Sequence, residues 1–452
     1  MLIEAPISTR RVSAVLFSFV TSFLGVLRER PQTYGAVTLL QRRKFRMSGF
    51  CLLVILFGFA VSAAARPKTL QVGPGKRYAR PCAAILRASR GDTIEIDAAG
   101  KYDGDVCGWS TNNLTIRGVG PGRAIIKAAG RDWQGKGIWV IAGNDTTVEN
   151  IEFVGAIVSD GNGAGIRQEG ANLQVRNCYF HDNQGGILAG NDPKSTILVE
   201  FSEFARNGTD DGSSHNIYVN HVAKLIFRYN YSHQSIVGHL LKSRAAENVI
   251  VYNRLTDEPT GTGSYELDLP NGGKSLIIGN LIEQGPKTEN NTILAYMEEG
   301  SDRRNPDHQL FVINNTFVND CPLGDNIFVF IGKDDSRAAI IENNIFTGPG
   351  VVTNQLGALL KSNFIGNPQF VDADGFDFHL RSGSPAVNAG ADNVTGDGLL
   401  LTPQFQYVHP ACAEGRGSVG KIDIGAYERG GRTAEVPSDA PSRCSIEPAV
   451  AE

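Results

Sequence analysis

Apolar residues alternate with polar ones in four short segments between His215 and Glu299. The segments read HNIYV, GHLLKSR, SYELDLP and NTILAYMEE. Alternation with a period of two is typical of a strand that buries one face. The pattern therefore predicts four strands, and their inward side chains are Ile217, Val219, Leu241, Leu267, Leu269, Ile293 and Ala295.

The outward positions of these strands carry polar, charged and aromatic side chains. A face with only a structural role more often carries Thr, Ser and scattered Lys. We call this predicted face the polar wall and interpret it as the candidate active site. Its residues are Tyr218, Asn220, Lys242, Arg244, Glu266, Asp268, Tyr296 and Glu298.

A short strand-like pattern recurs along the chain at intervals of 23 to 35 residues. These intervals do not suit helical solenoids, and the regular leucines and helix of leucine-rich repeats are missing. A parallel β-helix fits, because stacked rungs of three short strands bury a common core. Amides at equivalent turns would then hydrogen-bond along the axis. We expect Cys178, which stands at one of these turns, to be a buried, unreactive thiol. The residues at the aligned turn position of the eight repeats, called the amide column, are Ile151, Cys178, Ser202, Asn230, Asn253, Asn280, Asn315 and Asn344.

The repeats define one β-helix domain over residues 66–428. A short helix over Cys82–Ser89 is expected to cap the first rung, because an open β edge invites aggregation. Rungs continue to about Phe346, and a C-terminal closure packed on the last rungs begins at about residue 364. The Pro/Ser/Ala-rich tail over residues 429–452 is expected to be disordered.

Residues 1–65 read as an export region. Basic residues 42–46 precede an apolar run, Phe50–Val61, and Ala63–Ala65 offers a cleavage site, so Met47 is a candidate start. A second apolar patch, Val12–Leu27, belongs to an over-extended start or acts as an anchor. We expect a secreted or periplasmic protein with no stable membrane insertion after signal removal.

Composition and cysteines narrow the function. A formal net charge of −4 gives no basic surplus for a nucleic-acid partner. Export permits disulfides. Cys82–Cys107 is the near-neighbour pair that we expect and Cys321–Cys412 is a second candidate, while the sequence leaves the connectivity open. No Cys/His cluster has the spacing of a structural zinc site.

The N-x-F-type turns and the strings FHLRSGSPAVNAG and DIGAYE resemble the secreted right-handed parallel β-helix proteins. That superfamily includes pectate lyases, alginate and chondroitin lyases, mannuronan epimerases and polygalacturonases. The resemblance covers about Lys68–Glu428. It implies an all-β, right-handed, single-stranded parallel β-helix of about ten or more rungs with a short N-terminal helical cap.

A narrower resemblance concerns the reaction. LLKSRAAENVIVYNRL and LDLPNGGKSLIIGNLIEQG are similar to the alginate lyase and chondroitinase B group. On that match Lys242 falls on the catalytic base and Asn271-Gly272 on a His-Gly turn, while Pro270 stands where the family has an arginine. The family's calcium-binding acids have no counterpart in residues 234–241. The resemblance requires no cofactor. It leaves calcium binding open, and the sequence identifies no residues that would hold a metal.

These residues suit removal of the proton on carbon 5 of a uronic acid, followed by β-elimination. Lys242 would be the base if its pKa is lowered by burial or by a like-charged neighbour, and Arg244 would bind the carboxylate. His239 or Tyr265 would protonate the leaving oxygen. The expected substrate-binding set is Tyr218, Asn220, His215, Glu266, Asp268, Tyr296 and Glu298. In the structural alternative, Lys242 and Arg244 only form cross-strand pairs with Glu266 and Asp268.

Three other functions stay open. A polygalacturonase-type glycoside hydrolase would use Asp210-Asp211, Gly238-His239 and the basic pair, although NGTDDGSSH is also a turn sequence. A uronate C5-epimerase would use the same wall, and a non-catalytic β-helix would only bind polysaccharide or sit on a cell surface. We expect a monomer whose partner is an acidic polysaccharide.

Overall fold

The computed structural model describes residues 66–333, 337–433 and 435–444. The predicted export region lies outside the described residues. Among the described residues, no helix has the length and apolar character to span a membrane.

Three long parallel sheets run side by side along a solenoid. After the first two strands of the chain, which both belong to the first sheet, each turn contributes one strand to each sheet. Strands inside a sheet therefore pair with the equivalent strands of the rungs before and after them.

The first sheet contains β1 Thr69–Val72, β2 Thr93–Asp97, β4 Thr115–Val119, β7 Thr146–Glu149, β10 Leu173–Arg176, β13 Thr196–Glu200, β16 Lys224–Arg228, β19 Glu247–Val251, β22 Lys274–Ile278, β25 Leu310–Ile313, β28 Ile340–Glu342 and β31 Leu359–Lys361. The second contains β3 Cys107–Trp109, β6 Gly137–Ile141, β9 Ala164–Gln168, β12 Gly185–Ala189, β15 Ile217–Val219, β18 Leu241–Ser243, β21 Leu267–Leu269, β24 Thr292–Tyr296, β27 Ile327–Ile331 and β30 Val351–Thr353. The third contains β5 Ala124–Lys127, β8 Ile151–Val154, β11 Tyr179–His181, β14 Glu203–Ala205, β17 Tyr231–His233, β20 Arg254–Thr256, β23 Leu281–Gln284, β26 Thr316–Asn319, β29 Ile345–Thr347 and β32 Phe364–Ile365.

Equivalent side chains stack inside the solenoid. Phe153, Phe180 and Phe204 occupy the same register in three successive strands of the third sheet. Their rings stack with centroids 4.9 and 5.0 Å apart, and all three are fully buried. One rung could not bury such rings alone, so the core exists only in the stack.

The predicted amide column is confirmed as a hydrogen-bonded ladder. Each side-chain oxygen accepts from the backbone N–H of the residue one rung earlier, in five consecutive steps from Asn230 to Asn363. Cys178 and Ser202 continue the same column toward the N-terminus. Burial raises the pKa of the Cys178 thiol to about 12, as expected for an unreactive cysteine.

The N-terminal cap is a helix, α1, over Pro81–Ile85, shorter than the expected Cys82–Ser89. Its residues Cys82, Ala84 and Ile85 join the solenoid core and cover the first rung. At the C-terminal end the stack of rungs continues past the expected limit at Phe346, because β30, β31 and β32 each add a strand to one of the three sheets.

The C-terminal closure consists of antiparallel strands: β33 Phe370–Asp372 with β34 Asp377–Leu380, β35 Thr395–Gly396 with β36 Leu399–Leu400, and β37 Phe405–Val408, β38 Cys412–Arg416 and β39 Arg432–Thr433 together. Part of it packs back on the middle rungs, where Phe405 meets Tyr229 and Tyr252. The tail expected to be disordered from residue 429 instead supplies β39 and a 3₁₀ turn, Ser442–Cys444.

One of the two predicted disulfides is confirmed. Cys82 is bonded to Cys107, but Cys412 is bonded to Cys444 rather than to Cys321. Cys321 is free and buried. The sequence could not show this pairing, because the fold of the tail brings Cys444 onto the closure.

Candidate functional site

The four strands predicted from alternation are β15, β18, β21 and β24, and they are consecutive neighbours in the second sheet. The register aligns Tyr218 with Lys242, Lys242 with Asp268, and Asp268 with Ala295. Four separate segments of the chain therefore contribute one outward column, because parallel stacking brings equivalent positions side by side.

Two members of the predicted wall do not face outward. Tyr296 aligns with Leu269, lies fully buried in the core, and donates its hydroxyl hydrogen to the Gly273 carbonyl. Ala295, predicted inward, aligns with Asp268 instead. The segment ILAY has three consecutive apolar residues, so both phases of the alternation fitted the sequence.

Glu266 is also inside. It is fully buried, and neither of its carboxylate oxygens has a hydrogen-bond partner among the described residues. Burial, Asp257 and Glu283 raise its pKa well above the ordinary value. Glu266 precedes β21, so its side chain lies at the corner between the third and second sheets rather than on the wall.

Lys242 forms the centre of the outward column. Its Nζ lies 2.8 Å from Asp268 Oδ2 and 3.3 Å from Glu299 Oε1, and the residue is 9% exposed. Burial lowers the pKa of Lys242, but the charges of Asp268 and Glu299 raise it further, so the net shift is upward. The lowered pKa expected for a lysine base is therefore wrong for this arrangement. Its expected cross-strand pair with Asp268 is present.

Arg244 binds a carboxylate on the same face. Its guanidinium donates two hydrogen bonds to Glu299, at 2.6 and 2.8 Å, and a third, from Nε, to the Tyr218 hydroxyl at 2.9 Å. The Asn271 side-chain oxygen accepts another. Glu299 and Asn271 were not among the predicted site residues, because each lies in the turn that follows a strand, where alternation gives no signal.

His239 and His215 stack with ring centroids 4.5 Å apart at the N-terminal ends of β18 and β15. Burial lowers the pKa of His215 to about 3, with Lys242 and Arg244 adding to the effect. The pKa of His239 is also far below its usual range, chiefly because of burial. His239 Nδ1 accepts from the Tyr265 N–H at 3.3 Å, so the neutral ring carries its hydrogen on Nε2, which lies 3.3 Å from Asp268 Oδ2.

The carboxyl groups of the face have unusual proton affinities. Burial raises the pKa of Glu298 to about 7, and the charges of Asp268 and Glu299 contribute. Burial raises the pKa of Asp268 to about 6 against the opposing effect of Lys242. Tyr265, half-buried beside His239, has a pKa raised by burial and so keeps its proton. Titratable groups with such shifts concentrate at functional sites.

The remaining predicted residues have local contacts. Asn220 is half-buried, and its side-chain oxygen accepts from the His221 N–H. Asp211 accepts from the Thr209 hydroxyl and from the Ser213 N–H and hydroxyl in an exposed turn. These local hydrogen bonds match the interpretation of Asp210-Asp211 as part of a turn.

Calcium does not fit the residues present. Among the described residues, no group of three His, Cys, Asp or Glu side chains is placed to hold a metal ion. Asp268, which belongs to the wall, and Glu299, which lies beside it, already face Lys242 and Arg244. We derive no catalytic step through a metal.

Comparison with known proteins supports the fold. Residues 104–280 match the family model for the right handed beta helix region. The structure is similar to the crystal structure of pectate lyase Pel9A, with a TM-score of 0.51 and 14% identity over 81% of this chain and 98% of that one. No curated protein matches the sequence. With three sheets of ten to twelve strands, the chain is a right-handed parallel β-helix protein with a pectate-lyase-like fold, as its sequence predicted.

Proposed function

We propose that this protein is a secreted lyase that cleaves a uronic-acid polysaccharide by β-elimination on the outward face of the second sheet. The observation that carries the proposal is that Arg244 and Lys242 together already hold a carboxylate, that of Glu299. A bidentate guanidinium and a neighbouring ammonium form a geometry that recognises a sugar carboxylate equally well. In this proposal the uronate replaces Glu299.

The charges of the site indicate which group stabilises the sugar carboxylate and which acts as the base. Removing the carbon-5 proton places charge on the adjacent carboxylate, which Arg244 and the ammonium of Lys242 stabilise. Because Asp268 keeps Lys242 protonated, another group has to act as the base. Glu298, with a pKa of about 7, is substantially ionised at neutral pH and fits that role.

In this proposal Tyr265 is the general acid that protonates the leaving oxygen. The carbon-5 proton moves to Glu298, a double bond forms between carbons 4 and 5, and the carbon-4–oxygen bond breaks. The leaving oxygen takes the Tyr265 hydroxyl proton. We assign His239 to positioning Asp268, because its Nδ1 accepts from the Tyr265 N–H and its Nε2 lies 3.3 Å from Asp268 Oδ2.

Absorbance of the unsaturated ends tests the reaction. The secreted protein would be incubated with alginate, pectate, glucuronan and glycosaminoglycans, with reducing ends measured in parallel. We expect both signals on one polymer, abolished by Lys242→Ala. The matched control is Lys224→Ala, which removes a lysine paired with Glu247 on the first sheet. Full activity in Lys242→Ala would overturn the site assignment.

A hydrolase is the second candidate. Asp268 and Glu298 are neighbouring carboxyl groups with pKa values raised to about 6 and about 7, which suits an acid–base pair. A hydrolase would give reducing ends without ultraviolet absorbance. An epimerase would give neither signal but would exchange the carbon-5 proton in heavy water. A polysaccharide-binding protein would retain polymer and show none of these activities.

A further inference from the structure

A cleft of about 570 Å³ lies between the third sheet and the C-terminal closure. Arg254 of β20 lines it from the solenoid side, and Phe376, His379 and Tyr427 line it from the closure. The polar wall is on the second sheet, so this cleft belongs to a different face of the solenoid.

Arg254 is a buried cation with incomplete hydrogen bonding. It is 2% exposed, and neither Nε nor Nη2 has a hydrogen-bond acceptor among the described residues. Glu283 Oε2 lies 3.8 Å from Nη2, beyond hydrogen-bond distance, and accepts from the Thr256 hydroxyl at 2.9 Å. Leaving charged donors unsatisfied in the interior is costly, so the arrangement favours an incoming acceptor.

Aromatic rings surround the guanidinium. Its Cζ lies 4.7 Å from the ring centroid of Phe376 and 5.5 Å from that of Tyr231. Stacking with such rings engages the faces of a guanidinium and leaves the N–H groups on its edge for hydrogen bonding. An oxyanion with two adjacent oxygens matches that edge.

The acids that line the cleft already have partners. Glu414 accepts from Arg432 and from Gln406, and Glu428 accepts from Arg416 at 3.2 Å. Asp377 accepts from His379. These pairs engage the three carboxylates of the cleft, whereas Arg254 keeps donors without acceptors among the described residues.

We propose that this cleft is a second binding site, which takes a sugar acid. The carboxylate hydrogen-bonds to Arg254, and the sugar ring packs against Phe376 and against His379, whose ring lies 4.1 Å from that of Tyr427. Aromatic faces pack well against the apolar face of a pyranose, and the cleft volume suits one or two sugar units. The site does not depend on catalysis at the polar wall.

Calorimetric titration with a uronate disaccharide tests the proposal. Wild type is compared with two variants. Arg254→Lys keeps the charge but loses the paired N–H donors of the guanidinium, and His379→Ala removes a half-exposed ring. We expect each to weaken binding at this site by about tenfold or more. Arg244→Lys, on the polar wall, should leave this site unchanged, and Arg117→Lys, on β4 of the first sheet, is the matched surface control.

Titrations with other ligands distinguish recognition of a sugar carboxylate from binding of an inorganic anion. The methyl-esterified disaccharide should not bind, and inorganic sulfate or phosphate should compete only weakly. Equal binding of the inorganic ions would overturn the sugar-acid assignment. If Arg254→Lys fails to fold, as judged by circular dichroism, His379→Ala carries the test. Wild-type affinity at this site in every folded cleft variant would refute the site, whatever the lyase assay shows.

Discussion

Asn253 shows what one buried amide does in the stack of rungs. Its side-chain oxygen accepts from the Asn230 N–H at 2.9 Å, and its Nδ2 donates to the Phe227 carbonyl at 2.8 Å and to Asn280 Oδ1 at 3.0 Å. The residue is fully buried. The side chain thus satisfies backbone groups at a turn that water cannot reach, which explains why the same residue type recurs there.

Asn253→Ala should lower the free energy of unfolding by about 2–4 kcal/mol, because it leaves a buried N–H and a buried carbonyl without partners. Urea denaturation would measure the change. Gln174→Ala, which removes an exposed amide from β10, should change stability by less than about 0.5 kcal/mol. Equal effects of the two substitutions would contradict a structural role for the ladder.

Glu298→Gln should lower kcat by about a hundredfold or more, since a positioned base contributes roughly that factor. If ionised Glu298 is the base, wild-type activity should rise with pH through about 7, and the variant should lose this rise. The pH–rate profile on the polymer found in the absorbance assay is the measurement. Glu289→Gln, an exposed control in the loop before β24, should keep the wild-type profile. A profile unchanged in Glu298→Gln would assign the base elsewhere.

At the scale of elements, the corner where the third sheet passes to the second encloses three acids, Asp257, Glu266 and Glu283. All three are buried, and burial is the main cause of the raised pKa of each. Asp257 Oδ1 accepts from the Gly263 N–H at 3.2 Å, while Oδ2 has no hydrogen-bond partner among the described residues. Stacked rungs force these side chains together, and protonation relieves their repulsion.

This corner should make stability depend on pH. Burial raises the pKa of Asp257 from 3.8 to about 7, so between these values the folded chain holds a proton that the unfolded chain has released. The contribution to stability is therefore complete below the unfolded pKa and is lost as pH rises through about 7.

Asp257→Asn removes that titration. As pH rises from about 5 to about 8, we expect the variant to gain stability relative to wild type by up to about 3 kcal/mol. Urea denaturation at the two pH values measures the difference. Asp103→Asn, at an exposed position, should show no such gain. A constant difference between Asp257→Asn and wild type would mean that Asp257 is ionised throughout.

At the scale of the whole molecule, the C-terminal segment fastens the closure to the middle of the solenoid. Arg443 donates to Asn177 Oδ1 and to the Phe201 carbonyl, each at 2.8 Å. The neighbouring Cys444 is bonded to Cys412 of β38. The closure therefore covers the apolar cluster around Phe201 and Tyr229 instead of only capping the final rungs.

Replacing both Cys412 and Cys444 by Ser should lower the free energy of unfolding by about 2–4 kcal/mol, because the link no longer restricts the unfolded chain. Hydrogen exchange should accelerate in β37 and β38 and stay unchanged in β3 and β6. Unchanged exchange in β37 and β38 would show that packing alone holds the closure.

Much of the fold could be predicted from local patterns. A two-residue alternation and a recurring buried Asn are consequences of the β-helix, because every rung repeats the same inward positions and the same turn. The site was predictable as far as alternation extends, which covers Tyr218, Lys242 and Asp268. Glu299 and Asn271 lie in turns, and the phase of Tyr296 was ambiguous within an apolar run.

Local patterns were enough to predict the rung architecture and the strand that carries Lys242, since each depends on neighbouring residues or on a strict repeat. The folded chain was needed to show that Glu299 bridges Lys242 and Arg244, that Glu266 turns inward and that Arg254 faces a cleft beneath the closure. The physical reason is that charge and burial depend on neighbours one rung or many rungs away. Those neighbours set each pKa, and no local pattern in the chain encodes them.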